Sequence, residues 1–102
     1  MTTTGTIGCV KAATKILGDK WTPQLLRFFI NEETVRFCQI QDLVQGINPR
    51  TLSSRLNALE ADGIIEKVTA PDKSRCEYRL TQKGKELTPI LRDMQAWSQT
   101  YA

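Results

Sequence analysis

Residues 48–63 constrain the fold of this chain more than any other stretch. Asn48 is a good N-cap, because its side chain can accept hydrogen bonds from the free amides of a first helical turn. Pro49 then falls at the first helical position, where proline is favoured, and Gly63 is a natural helix terminator. Between them three leucines recur at spacings of four and three, so they share one face. The stretch predicts a helix that buries a leucine stripe and leaves its other side polar.

The side of this helix that faces away from the leucines carries side chains suited to the edges of DNA bases. Arginine can bind guanine through two hydrogen bonds, asparagine can bind adenine in the same way, and serine can donate or accept. We predict base contacts from Arg50, Thr51, Ser53, Ser54 and Asn57. We also count Arg55 as DNA-binding, although its position about 60° from the core direction suits a phosphate or an intramolecular ion pair. A polar helix face can also simply be solvated, so the neighbouring elements decide between the two interpretations.

A short hairpin is predicted directly after this helix, which we call the recognition helix. Residues 64–68 are rich in β-branched apolar side chains, and residues 76–80 alternate between apolar and polar side chains. The turn between them contains a proline followed by an aspartate. Its tip carries Lys73, Ser74 and Arg75, which we predict to contact phosphates or reach a minor groove. A plain surface hairpin is an equally open interpretation of the same residues.

Three helical segments and a short extended link precede the recognition helix. They are predicted as helices at residues 9–17, from the N-cap Thr22 and Pro23 onward, and at residues 39–45, with the link at residues 35–37 beside the hairpin. In the third helix, Ile40, Leu43 and Val44 are expected to point inward. A glycine-containing loop joins this helix to the recognition helix, which makes a helix-turn-helix. The predicted fold is mainly α with a small β-hairpin, a winged helix-turn-helix.

Size and composition fit one small domain and exclude several classes of function. We expect a single domain over residues 1–102, with residues 1–8 frayed. The formal charge is +3 with both signs scattered, so DNA affinity must come from a local cluster. The chain has no histidine, no glycine-rich phosphate loop and no paired carboxylates in an apolar setting, so we do not expect an enzyme.

The cysteines and the N-terminus bear on cofactors and location. Three widely spaced cysteines without a CxxC pair argue against a disulfide framework and against structural zinc, so we expect no cofactor. The first residues lack a basic region followed by an apolar stretch, and no segment approaches the length of a membrane span. A cytoplasmic protein is therefore expected.

A second apolar stripe lies near the C-terminus, on a helix predicted from the N-cap Thr81 toward residue 99. Pro89 falls in its first part, where a kink is expected. The stripe consists of Leu87, Ile90, Leu91, Met94, Trp97 and Tyr101. It can pack on its own domain, but the other helices already supply a core. We therefore predict a homodimer whose interface uses the helices of residues 9–18 and 81–101.

Several motifs together resemble one known family over nearly the whole chain. They are the sequence Gly18-Asp19-Lys20-Trp21-Thr22, the helix segment 47–56, Leu59-Glu60-Ala61-Asp62-Gly63, and Glu77-Tyr78-Arg79-Leu80-Thr81 with Gly84. On these residues the chain resembles the HxlR-type transcription regulators, a winged-helix branch related to MarR. The resemblance implies a dimeric regulator that binds inverted-repeat operator DNA. In the family a proline follows the N-terminal cysteine, whereas Val10 follows Cys9 here.

The resemblance also implies that oxidants or electrophiles can act through an N-terminal cysteine, which makes Cys9 the candidate sensor. Lys11 and Lys15 are near it in sequence and favour a thiolate. Cys38, close to Arg36 at the start of a predicted helix, is the second candidate. Cys9 can equally be a small apolar side chain without a redox role, and for Cys38 that interpretation is the favoured one. Cys76, expected in a strand that faces the core, is predicted to be inert, and no residue identifies a small-molecule effector.

These observations predict a sequence-specific regulator that binds double-stranded DNA as a homodimer, and the resemblance adds Cys9 as the candidate for a response to oxidants or electrophiles. The alternative is a winged helix that binds another protein and has no sequence-specific DNA binding. That alternative requires apolar residues on the outer face of the recognition helix, where Arg50, Ser54 and Asn57 stand instead.

Overall fold

Short helices and strands alternate in the computed structural model, which describes residues 10–69 and 76–102. In chain order the elements are α1 (Lys11–Leu17), α2 (Thr22–Ile30), β1 (Val35–Arg36), α3 (Phe37–Leu43), α4 (Pro49–Ala61), β2 (Ile65–Thr69), β3 (Cys76–Leu80), α5 (Gln82–Lys85) and α6 (Thr88–Tyr101). Helices α3 and α4 with the turn between them form the helix-turn-helix. The hairpin of β2 and β3 follows it and is the wing of the fold. The prediction of a mainly helical winged helix-turn-helix is confirmed.

Helix α4 begins and ends with the residues that the sequence indicates. The side chain of Asn48 accepts a hydrogen bond from the Thr51 amide at 2.8 Å, and Pro49 is the first helical residue. At the other end Gly63 has φ +77°, and its amide donates to the Glu60 carbonyl while the Ile64 amide donates to that of Leu59. These two bonds satisfy carbonyls that the end of a helix leaves free.

Three strands form one antiparallel sheet in the order β1-β3-β2. Val35 lies opposite Tyr78 in β3, and Ile65 lies opposite Leu80. The Thr34 hydroxyl donates to the Glu77 carboxylate at 2.9 Å, which adds a side-chain bond next to the short first strand. The expectation that the link at residues 35–37 lies beside the hairpin is confirmed for the first two of those residues.

A single apolar core joins the helices to the sheet. The leucine stripe of α4, Leu52, Leu56 and Leu59, is at most 3% exposed and belongs to the same buried cluster as the apolar side chains of α2, with α4 in contact with β2. Fully burying one such side chain stabilises a fold by roughly 1.5–3 kcal/mol. The other core side chains are Leu25, Leu26, Phe29, Val35, Ile40, Val44, Ile47, Ile64, Ile65, Tyr78, Leu87 and Leu91.

Helix α3 lies two residues earlier than predicted, and one of its inward assignments was wrong. It begins at Phe37 because the Arg36 amide donates to the Gln39 side chain at 2.9 Å, which satisfies a free donor at the helix start. Ile40 and Val44 are buried as expected, whereas Leu43 is 54% exposed. Gly46, at φ +87°, makes the turn into the next helix.

The prediction of one continuous C-terminal helix was also wrong. Thr81 caps α5 by accepting from the Gly84 amide at 3.1 Å, but this helix ends at Lys85 and α6 begins at Thr88. Pro89 lies in the first turn of α6, where its missing N–H costs nothing. No helix in the described ranges is long and apolar enough to cross a bilayer.

Candidate nucleic-acid interface

The outer face of α4 is polar and accessible. Arg50, Ser53, Ser54 and Asn57 are all exposed, and the leucine stripe is on the opposite side of the helix. Thr51 is half-buried at the helix start, where its amide is bonded to the Asn48 side chain. The face presents a guanidinium, an amide and hydroxyls, which are the groups that bind base edges in a major groove. Whether these particular residues contact bases stays a prediction.

Arg55 does not share this face, and its guanidinium is occupied by a carboxylate. Its Nη1 lies 3.5 Å from Oδ2 of Asp19, and both side chains are about one-third exposed, at 35% and 31%. The intramolecular ion pair, one of the two roles that its angular position suits, is therefore present, while DNA binding by Arg55 stays a prediction. Sequence reasoning did not identify the acidic partner.

Asp19 closes the N-terminus of α2. Its Oδ1 accepts from the backbone amides of Trp21, at 2.7 Å, and Thr22, at 2.8 Å, and its Oδ2 accepts a hydrogen bond from the Thr22 hydroxyl. The prediction that Thr22 is the N-cap was wrong, because Thr22 is the first helical residue and donates to Asp19. An aspartate three residues before a Thr-Pro pair was the available signal.

The environment of Asp19 favours its charged form. Burial of the carboxyl raises its pKa, but hydrogen bonds from Thr22 and Trp21 and the nearby charge of Arg55 outweigh burial. The pKa of Asp19 is therefore held below its ordinary value. The carboxylate remains ionised at neutral pH and can act as a constant partner for Arg55.

Two lysines lie at the C-terminal end of α4. The Lys83 ammonium donates to the Asp62 carbonyl at 2.8 Å, and the Lys15 ammonium is 3.8 Å from the Asp62 carboxylate. Cations at the C-terminal end of a helix interact favourably with the helix dipole. Lys15 is 74% exposed, so its ion pair contributes little to stability.

The predicted wing-tip residues Lys73, Ser74 and Arg75, and the candidate sensor Cys9, lie outside the described residues. At the base of the wing Arg79 donates to the Glu66 carboxylate at 2.6 Å across the strand pair. Cys38, the second candidate sensor, is an exposed free thiol in the first turn of α3.

The predicted dimer residues divide into two groups. Leu87 and Leu91 are at most 9% exposed and belong to the core of their own domain. The other four remain outside that core, with exposures of 42% for Ile90, 40% for Met94, 64% for Trp97 and 72% for Tyr101. The rings of Trp97 and Tyr101 are 5.2 Å apart. A groove of about 350 Å³ between α2 and α6 borders this stripe, with Pro23, Arg27, Met94 and Ser98 among its lining residues.

Together the fold and the polar recognition face define a class, the winged helix-turn-helix regulators that bind DNA. A model of the HxlR-like helix-turn-helix family matches residues 16–102, and the chain belongs to this family. The HTH-type transcriptional regulator YvaP of Bacillus subtilis (strain 168) is 36% identical over 87 residues, which are 84% of this chain and 80% of YvaP.

Solved structures agree with this assignment. The redox regulator HypR in its oxidised form has a TM-score of 0.85 at 30% identity, covering 91% of this chain and 96% of HypR. The reduced form of the regulator YodB from B. subtilis has a TM-score of 0.80 at 28% identity, covering 93% of this chain and 95% of YodB. The chain is a DNA-binding transcriptional regulator and not an enzyme.

Asp19→Ala should lower the free energy of unfolding at pH 7 by about 1–2 kcal/mol, because the first amides of α2 lose their acceptor. The folded-state pKa of Asp19 is lowered, so its stabilisation is present above the unfolded-state pKa and is lost as the pH falls through the folded-state pKa. The gap between wild type and variant should therefore shrink below about pH 4. Urea denaturation at several pH values measures it.

The matched control for this measurement is Asp42→Ala, which removes an exposed carboxylate from α3. Its unfolding free energy should remain close to that of the wild type throughout the pH range. An Asp19→Ala deficit of the same size at pH 2 and at pH 7 would contradict the proposed electrostatic origin.

Proposed function

We propose that this regulator binds an inverted-repeat operator as a homodimer and reads each half-site with α4. The observation that carries the proposal is the exposed polar face of a capped helix whose opposite side is buried. Arg50, Thr51, Ser53, Ser54 and Asn57 meet the base edges. Lys73, Ser74 and Arg75 of the wing tip hold the neighbouring DNA backbone. Since YvaP comes from a bacterium, where DNA lies in the cytoplasm, we also propose a cytoplasmic location for this regulator.

A dimer is supported by the exposed side of α6. Four large apolar side chains, including Trp97 and Tyr101, are accessible on a helix that is anchored to its domain by Leu91. Aromatic side chains and methionine are enriched at the centres of protein interfaces. Two domains joined here by a two-fold axis would present two recognition helices, and such helices enter successive major grooves about one helical turn apart.

Selection from random duplex DNA at physiological salt should enrich an inverted repeat with half-sites about ten base pairs apart. On that operator Arg50→Ala should weaken binding by about 30-fold or more, because each protomer loses a two-bond arginine–guanine contact that contributes roughly 1–3 kcal/mol of discrimination. Fluorescence anisotropy with the operator and a scrambled duplex measures the loss.

Arg92→Ala is the matched control for Arg50→Ala, because it removes one exposed arginine from α6. It should retain specific binding. Equal affinity of Arg50→Ala and wild type for the operator would overturn the role of Arg50, and a selection without any enriched sequence would favour a protein-binding winged helix.

Trp97→Glu should convert the dimer to a monomer, because it places a charge in the centre of the exposed apolar stripe. Sedimentation velocity at micromolar protein concentration measures the change. Arg92→Ala, which makes the same change in net charge on another side of α6, should remain dimeric. A wild type that sediments as a monomer would contradict the dimer.

Control by oxidation or by electrophiles is the remaining part of the proposal, with Cys9 as the sensing thiol. HypR is described as a redox regulator, and YodB has been solved in diamide-treated and quinone-bound forms. Cys38 is the alternative sensor, since its thiol is exposed in the first turn of α3.

Treatment with diamide should lower the operator affinity of the wild type and of Cys38→Ser, and reduction should restore it. Cys9→Ser should keep its affinity under the same treatment, because the oxidised thiol is absent. Anisotropy titrations before and after treatment, with intact-mass analysis of each sample, report both events. Loss of affinity in Cys9→Ser but not in Cys38→Ser would transfer the role to Cys38.

A further inference from the structure

The ion pair between Arg55 and Asp19 lies on a side of α4 that faces neither the core nor the proposed DNA surface. Arg55 is half-buried, whereas Arg50 and Asn57 of the same helix are exposed. Its guanidinium reaches across to the junction between α1 and α2, where it meets the Asp19 carboxylate at 3.5 Å. This contact lies on the flank of the recognition helix.

The carboxylate that Arg55 meets is itself held in place. Two backbone amides and the Thr22 hydroxyl bind Asp19, and Thr22 is only 2% exposed. The helix that begins there is anchored in the core by Leu25 and Leu26, which are at most 1% exposed. Arg55 is therefore attached, through Asp19, to the most deeply buried helix near it.

A leucine stripe alone leaves a helix some freedom to rotate about its axis, because apolar contacts are not directional. Recognition of a DNA sequence requires that the side chains that contact the bases are held within about 0.5 Å and 10–20° of their productive geometry. An ion pair on the flank of the helix adds a directional contact. If this contact is lost and the helix rotates, the ends of the outward side chains move the most, because they lie farthest from the helix axis.

We propose that Asp19 and Arg55 are positioning residues for DNA recognition: their ion pair sets the rotation of α4 so that Arg50, Ser54 and Asn57 meet the base edges. In this role Arg55 makes no phosphate contact. The proposal rests on the sequence-specific DNA binding proposed above, and it assigns a function to the aspartate between α1 and α2.

The direction in which Asp19→Asn changes the affinity for DNA separates this role from a phosphate contact. Asp19→Asn keeps an oxygen that can accept from the amides of α2 but removes the negative charge. If Arg55 gripped a phosphate, this change would free its guanidinium and strengthen binding to every duplex. If the pair positions α4, the same change weakens binding to the operator and leaves the scrambled duplex nearly unaffected.

The experiment measures affinity for the selected operator and for a scrambled duplex at several NaCl concentrations. The variants are Arg55→Gln and Arg55→Lys, each with Asp19 or Asn at position 19, together with Asp19→Asn alone. Asp42→Asn, which removes an exposed carboxylate from the helix-turn-helix, controls for the loss of one negative charge. Circular dichroism sets a temperature at which every variant is folded.

We expect Asp19→Asn and Arg55→Gln each to weaken operator binding by about threefold, in keeping with a partly exposed ion pair. The double variant should be no weaker than either single one, and the salt dependence should not change. Arg55→Lys should bind the operator more tightly than Arg55→Gln only when Asp19 is present. A phosphate contact would give the lysine the same advantage in both backgrounds.

Tighter binding of Asp19→Asn to both duplexes would overturn the proposal. So would a fall of about two in the salt slope of Arg55→Gln, about one for each protomer, with equal losses on the two duplexes, which is the signature of a phosphate contact. If Asp19→Asn does not fold, the salt slope and duplex dependence of Arg55→Gln decide alone. A wild type that does not distinguish the two duplexes would overturn the proposed function and this inference together.

Discussion

Burial of the α4 leucine stripe is the interaction on which the remaining structure depends. Leu52, Leu56 and Leu59 are nearly inaccessible and share one buried cluster with the apolar side chains of α2 and β2. Because a helix has two sides, this burial also determines which residues remain in solvent, and these are the polar residues of the recognition face. Core packing and presentation of that face are therefore one physical event. Polar contacts on the flank then refine an orientation that apolar packing has already selected.

Much of this arrangement could be predicted because its signals are local. The Asn48 cap, Gly63 and the leucine spacing lie within one helix, and each has a direct chemical meaning. The ion pair of Asp19 and Arg55 could not be predicted in this way, since it joins distant parts of the chain through the packing of two helices. The angular position of Arg55 did indicate an intramolecular ion pair or a phosphate contact, and the structure shows the ion pair.

The C-terminal stripe shows more clearly what the spacing of apolar residues cannot predict. Spacings of three and four residues identified six apolar positions but did not separate those that face the domain from those that face outward. Leu87 and Leu91 complete the core, while Trp97 and Tyr101 remain exposed. The difference follows position along α6: Leu91 lies near its start against the core, whereas Trp97 and Tyr101 lie further on, toward its end. How far the domain extends along a helix depends on tertiary packing, which a repeat of apolar residues does not encode.

The close approach around Gly84 has a consequence for how this fold can vary. A Cβ on Gly84 would lie 2.2 Å from the carbonyl oxygen of Ile64, and the Thr81 hydroxyl donates to the carbonyls of Gly63 and Ile64. The end of the recognition helix, the first wing strand and the C-terminal helices thus meet at one crowded point. A larger side chain at position 84 would therefore push against the backbone of Ile64, and the chain path at this point cannot change in one of the three elements alone.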